Sequence, residues 1–214
     1  MLKNIHWLGH DSFRIDADKT IYLDPWQLRE HSPPAADLVL VSHEHGDHCS
    51  PSDIAKIVGS ESVVVTNAAS AAKLEGLKGQ VRIVKPGDSL SAHGISIEAV
   101  PAYNLNKFRS PGNPFHPQEA GHVGFIITVG GQRIYHAGDT DNIAEMEGFE
   151  VDIALLPVSG TYVMTAEEAA EAARRIGPKI AVPMHYGAGV AGTRADAERF
   201  VRLYDGKVLI LEKE

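Results

Sequence analysis

The chain has 214 residues, 43% hydrophobic and 22% charged, which suits one large folded domain with a substantial core. A formal net charge of −8 argues against a protein that tracks a nucleic-acid backbone, which needs a basic stripe. The single cysteine, Cys49, excludes an internal disulfide framework, and neither a signal-peptide core nor an apolar run near the roughly 20 residues of a membrane span is present, so a cytoplasmic protein is expected.

In chain order, KNIHWLG, SFRIDA, TIYLD and DLVLVS read as short strands. SPSDIAKIVG reads as a helix, with Ser50 as cap, Pro51 at the first helical position and Asp53 closing a capping-box-like pattern. NAASAAKLEG predicts a second helix ending near Gly76, and strands resume at VRIV and ISIEAV. HVGFIITV and QRIYHAG flank Gly130-Gly131, which suits a hairpin with a tight primed turn. TAEEAAEAARRIGP is a helix capped by Thr165 with Glu168 at its third position and Gly177-Pro178 as its stop. KIAVPM is a strand, TRADAERFVRLYDG a helix and KVLILE a last strand. No linker or low-complexity segment divides the chain, so residues 1–214 form a single α/β domain with mixed sheets. Residues 103–121, with three prolines, two glycines and little periodicity, form either a substrate loop or a solvated excursion.

Four apolar strand patterns run into a possible metal ligand: Asp24 after IYL, His43 and His45 after LVLVS, Asp139 after RIYHAG, and His185 after IAVPM. Extended backbone projects His43 and His45 to one side, Gly46 permits a sharp turn, and Asp47 and His48 follow at the start of the capped helix. Isolated histidines such as His6, His31, His93 and His136 are ordinary packed or solvated residues. The HEHGDH cluster is different: packing gains nothing from crowded imidazoles, which repel when protonated, whereas a divalent cation binds them neutral. Mixed imidazole and carboxylate donors suit Zn2+ or Mn2+, with iron a further option, in one or two sites. Cys49 falls outside the ligand pattern and reads as a small buried residue.

The HxHxDH pattern of residues 43–48, with Asp24 in YLDP, Asp139 in HAGDTD and His185 in PMHYG in order, resembles the metallo-β-lactamase superfamily over nearly the whole chain. WLGH, YHAGDTD and LLPVSGTYVMTAEEA look most like the branch containing ascorbate-6-phosphate lactonase and N-acyl-phosphatidylethanolamine phospholipase D. The resemblance implies a four-layer αββα sandwich of two mixed sheets. It implies that His43 and His45 hold a first metal, Asp47, His48 and His185 a second, and that Asp139 bridges them, with Asp47 and His48 catalytic. It casts Asp24 as the buried aspartate that orients ligands. The superfamily's usual further first-site histidine is missing from EAVPAYNLNKF. His116 in NPFHPQ is the favoured substitute, ahead of His122, Tyr103, Asn104 or water.

The expected activity is metal-dependent hydrolysis, by metal-activated hydroxide, of a small anionic ester, lactone or phosphodiester. Lys107 and Arg109 are candidates to neutralise the substrate's charge, Tyr103, Asn104 and Tyr162 to contact it, and His10 to face the cleft as an acid or substrate ligand. The competing reading is a metal-binding or regulatory relative with impaired catalysis, prompted by the missing histidine. Oxygen chemistry of the superfamily's diiron flavoproteins is disfavoured by His45, where those carry glutamate, and by the lack of room for a flavin domain. The expected partner is a small molecule, without nucleic acid or a membrane span; a homo-oligomer is left open.

Overall fold

The computed structural model describes residues 2–29 and 32–214; His31 lies outside the described residues. Strands β1 (Ile5–Gly9), β2 (Ser12–Asp16), β3 (Thr20–Leu23), β4 (Ala36–Val41), β5 (Val58–Thr66) and β6 (Gln80–Ile83) form one six-stranded sheet in that order. Further along lie β7 (Ser89–Ala92), β8 (Ile95–Pro101), the small hairpin of β9 (Phe108–Ser110) and β10 (Asn113–Pro114), then β11 (Val123–Val129), β12 (Gln132–His136), β13 (Ile153–Pro157) and β14 (Ile180–Met184). The second six-stranded sheet has the order β14-β13-β12-β11-β8-β7. Both sheets are mixed, with parallel pairs from β3 through β6 and from β12 through β14.

Period-two alternation explains the layering. Leu38 and Leu40 of β4, Val63 and Val65 of β5, and Ile21 and Leu23 of β3 join the core between the sheets. Their neighbours Val39, Val41, Val64 and Tyr22 point the other way, into a second cluster with Ile54 and Ile57 of α1 (Pro51–Ile57) and with Leu74, just past α2 (Ala68–Lys73). Burial on both faces is why LVLV and VVV are uninterrupted apolar runs. On the far side, α3 (Ala166–Ile176) and α4 (Arg194–Leu203) cover the second sheet, α3 through an alanine face that includes Ala169, Ala170 and Ala173. The result is the expected four-layer αββα sandwich.

The helix caps follow the sequence. Ser50 accepts from the Asp53 N–H at 3.3 Å. Thr165 Oγ1 accepts from Glu168 N, Glu168 Oε2 accepts from Thr165 N, and Gly177 closes α3 in the left-handed region. Gly130 and Gly131 both have positive φ, as a primed turn demands.

Strands β5, β7 and β13 and the small β9–β10 hairpin stand outside the elements read from the sequence, and KVLILE is not a full strand. Only Leu209 N and Lys207 O bond to Ala181 in β14, and Lys213 bridges to Trp7 in β1, so the C-terminal segment runs from an edge of one sheet to an edge of the other. Among the described residues no helix is long and apolar enough to cross a membrane.

Candidate metal centre

Parallel strands aim their carboxyl ends at one rim of the sandwich, where ligands of open α/β sheets collect. Asp24 follows β3, His43 follows β4, Asp139 follows β12 and His185 follows β14. His10 and Asp11 form the β1–β2 turn beside them, tied to β14 by a hydrogen bond from His185 N to His10 O. His10, Asp24 and His185 all have positive φ, a conformation costing a non-glycine residue roughly 1–2 kcal/mol, so the surrounding structure holds three site residues under strain. Gly138 also has positive φ and carries a second constraint: a Cβ there would lie 2.9 Å from Ser42 Cβ, and that close approach brings Asp139 beside the 43–48 turn. Gly46, expected to permit a sharp turn, is not among the residues with positive φ; the turn closes through His48 N and Cys49 N bonding to His45 O.

Two groups of ligand atoms result, each with its members within 4.8 Å of one another: His43, His45, His116 and Asp139, and His10, Asp11, His48 and His185. Asp139 also faces the second group. Its Oδ2 lies 3.2 Å from His116 Nε2 and 3.9 Å from His43 Nε2, while Oδ1 lies 3.3 Å from His48 Nε2 and 3.4 Å from His185 Nε2. One carboxylate thus gives one oxygen to each side.

Hydrogen bonds fix which nitrogen each ring presents. His48 Nδ1 donates to Asp24 Oδ2 at 2.8 Å, and Asp24 is itself held by Ser42 N and Oγ. Ser42 Oγ, with its proton on Asp24, accepts from His43 Nδ1 at 2.9 Å. His116 Nδ1 donates to Asn104 Oδ1, and His185 Nδ1 meets Ser159 Oγ at 2.8 Å. The Nε2 lone pairs are left facing inward. His43 Nε2 and His116 Nε2 then lie 3.0 and 3.2 Å from His45 Nδ1, where a single proton on His45 can satisfy only one of them. On the other side His48 Nε2, His185 Nε2, Asp139 Oδ1 and both Asp11 oxygens are buried without a hydrogen-bond partner. Buried orphans of this kind need an explanation, and a donor set of imidazole nitrogens and carboxylate oxygens fits a divalent cation on either side of Asp139.

Electrostatics agree. Burial, reinforced by His48, holds His43 well below the usual imidazole range, and burial with His116 lowers His45 to about 4, so both are neutral near pH 7, as metal ligation requires. Burial opposes ionisation of Asp139, but His48, His185 and His116 outweigh it and keep the group charged. Burial likewise opposes the charge on His48, yet Asp139, Asp24 and Asp11 together push it up, so without a cation this ring holds a proton that metal binding would displace.

The 103–121 segment is no solvated excursion. Asn104 Oδ1 accepts from both His116 N and Nδ1, and Asn104 Nδ2 donates to Tyr162 O. Asp141 Oδ2 receives Leu105 N and Asn106 N, and Lys107 Nζ lies 2.7 Å from Glu168 Oε2 and 3.4 Å from Asp141 Oδ1. His116 therefore sits in the first group, at the position for which the sequence favoured it. Of the alternatives, His122 packs behind it with Nε2 3.2 Å from Glu44, Tyr103 bonds outward to Glu145, and Asn104 orients His116.

Other candidates are placed differently from the sequence reading. Lys107 is committed to the anchoring ion pairs and does not reach the cleft. Neither Tyr103 nor Asn104 lines it. His10 is fully enclosed, its Nε2 3.1 Å from Asp47 Oδ2, so it backs Asp47 rather than facing substrate. Asp47, expected beside His48 and His185, stands at the margin of that group with Oδ2 3.8 Å from His48 Nε2, and Asp11 occupies the interior. Tyr162 and Arg109 do line the cleft, a hollow of about 340 Å³ with His45, Asp47, His116 and Asp139 at its floor and Phe115 and Val190 on its walls. Of the histidines read as ordinary, His136 is buried with Nε2 2.8 Å from Asp11 O, His6 pairs with Asp16 and Glu214 at the surface, and His93 bonds to Glu61 O.

Residues 4–185 match the β-lactamase superfamily domain family. The chain belongs to the metallo-β-lactamase superfamily. It is 34% identical to a UPF0173 metal-dependent hydrolase of Pyrococcus abyssi, over 97% of this chain and 94% of the relative, and 35% identical to one of Thermoplasma acidophilum, over 93% and 89%. A crystal structure of a candidate metal-dependent hydrolase from Parabacteroides distasonis superposes with a TM-score of 0.83 at 36% identity, covering 98% of this chain and 93% of that one. The protein is an enzyme, a metal-dependent hydrolase whose His and Asp groups are suited to divalent ions.

Asp11, Ser42, Ser159 and Phe115 are the participants that the sequence reading did not single out. Asp11 adjoins His10 and Ser42 adjoins His43, so adjacency to a suspected ligand was the available signal.

Proposed function

We propose that the enzyme hydrolyses a small anionic ester, lactone or phosphodiester with two divalent ions. One would be held by His43, His45, His116 and Asp139, the other by His48, His185 and Asp139 with Asp47 at its edge. The observation that carries this is the division of Asp139, with one oxygen toward His116 and the other toward His48 and His185. When bound, such a pair of ions draws a nucleophile from water near neutral pH and stabilises charge developing on oxygen.

The chain's own groups do the rest. Burial disfavours the Asp47 carboxylate, but the His10 hydrogen bond and His48 outweigh it and hold Asp47 ionised below the usual carboxylate range. Asp47 is thus a charged hydrogen-bond acceptor at the cleft floor that orients attacking water. Burial lowers His10 to about 4, so His10 stays neutral and fixes Asp47 by donating from Nε2. Arg109 lies over the Phe115 ring, 5.2 Å from its centroid, which leaves a cation on the cleft wall for a substrate phosphate or carboxylate. Phe115 and Tyr162, edge to face at 4.8 Å, offer an apolar surface to the substrate's body. The likeness of WLGH and YHAGDTD to the lactonase and phospholipase D branch supports lactones and phosphodiesters as the bonds cleaved.

The test is turnover of a panel of lactones, phosphodiesters and neutral esters by metal-stripped protein and by protein reloaded with Zn2+ or Mn2+. Metal-dependent turnover that favours the anionic members is expected. Equal rates with and without metal would overturn the proposal.

A further inference from the structure

The two sides of Asp139 do not offer the same chemistry. The first has three imidazole nitrogens and one carboxylate oxygen. The second has the imidazoles of His48 and His185 with His10, its Nε2 turned to Asp47, beside them, the other Asp139 oxygen, and a further carboxylate in Asp11, whose Oδ2 is 3.5 Å from His48 Nε2.

Asp11 needs an account of its own. It is wholly buried, and neither carboxylate oxygen has a hydrogen-bond partner. Its backbone is pinned by His136, whose Nε2 meets Asp11 O at 2.8 Å, and the preceding turn is pinned by Trp7 Nε1 donating to His10 O. The side chain is thus held in place, aimed at His48. A closed carboxylate is costly to keep unless a cation or proton meets it.

On the two-ion reading above, on which this inference rests, we propose that Asp11 is a ligand of the second ion and makes that side select Mn2+ or Fe2+ over Zn2+. His48, His185, Asp139 and Asp11 set two carboxylates beside two imidazoles, where the first side has one carboxylate and three imidazoles. A coordination shell richer in oxygen suits Mn2+, and one richer in imidazole suits zinc. With Asp47 at the margin and substrate or water entering from the cleft, the second side can reach six donors. The first side, with its three imidazoles, keeps the zinc-like character. The enzyme would then carry two different metals.

The experiment loads metal-stripped wild type and Asp11→Asn with equal Zn2+ and Mn2+, counts each metal per chain, and reads bound Mn2+ by electron paramagnetic resonance. Wild type should retain one zinc and one manganese with a six-coordinate manganese signal. Asp11→Asn should retain the zinc and bind manganese roughly 100-fold more weakly, since even outer partners of a ligand affect affinity by 10–100-fold. Its metal-free form should melt no lower than metal-free wild type, because the variant removes a buried carboxylate from beside Asp139. Undiminished manganese affinity in the variant, or two zincs in wild type, overturns this inference while leaving the two-ion site standing; wild type that binds neither metal overturns the underlying reading. Should Asp11→Asn not fold, a crystal structure of manganese-loaded wild type decides: Asp11 Oδ2 within coordination distance of the ion supports the assignment, and Asp11 turned from it refutes it.

Discussion

The 43–48 turn and the 103–121 segment deliver histidines to the same group of ligands by opposite means. The turn needs only local geometry. It follows β4 directly, closes on His45 O, and passes into a helix capped by Ser50, so His43, His45 and His48 are placed within a few residues of a buried strand. The segment has no such support from its neighbours in sequence. His116 reaches the site because Asn104 takes two of its N–H groups, Asp141 takes two backbone N–H groups, and Lys107 ties the start of the excursion to Glu168 on α3. A ligand on a strand end is positioned by the sheet; a ligand on a long loop must be positioned by side chains that have no other task.

The largest expected effect comes from the turn. His48→Ala removes a ligand and the partner of Asp24 together, and turnover should fall by orders of magnitude while unfolding stays cooperative in denaturant. Retained activity would break the comparison at once, since the turn would then not hold the reacting site. Next is the loop's orienting group. Asn104→Ala deprives His116 of its acceptor and should weaken zinc binding on the first side by roughly 10- to 100-fold in chelator competition, leaving the second side unchanged. An equal loss on both sides would mean that the two groups are not separable.

On the proposed function, recognition of substrate falls to the same segment. Arg109→Ala should raise KM for anionic substrates about tenfold with little change in kcat, and should leave neutral esters unaffected. The anchor comes after it. Lys107→Met leaves Glu168 and Asp141 without their cation; the partial exposure of Glu168 screens that loss, so about 2 kcal/mol of stability should disappear in denaturant titration. The smallest effect lies back in the turn. Cys49 is buried, and burial with the nearby Asp24 charge raises its thiol to about 11, so thiol reagents at pH 8 should label it only upon unfolding.

The same contrast explains what could be read in the sequence. Helices announced by caps, Ser50 with Pro51 and Thr165 with Glu168, were legible because the signal and its physical cause lie within four residues. So were Asp24, His43, Asp139 and His185, each at the end of an apolar run. Strands β5 and β13 were not, although VVV and IALL are apolar runs like the LVLV of β4: without alternation, periodicity does not tell a fully buried strand from a buried helix segment. The KVLILE segment has strand composition but only isolated bridges, a distinction set by where α4 releases it. His116 could be favoured from the missing histidine, but its anchoring through Asn104, Asp141 and Lys107 is a tertiary fact. Lys107 looked like a substrate cation for the same reason: its partners, Asp141 and Glu168, are distant in sequence. Asp11 was hidden differently, since an aspartate in a tight turn is ordinary unless its burial is known.

The central claim is that Asp139 stands between two cations. Anomalous diffraction at the metal edges of crystals grown with Zn2+ and Mn2+ tests it most directly. Two peaks are expected, one against Asp139 Oδ2 with His43, His45 and His116, and one against Oδ1 with His48 and His185. A single peak, or density that avoids Asp139, would contradict it.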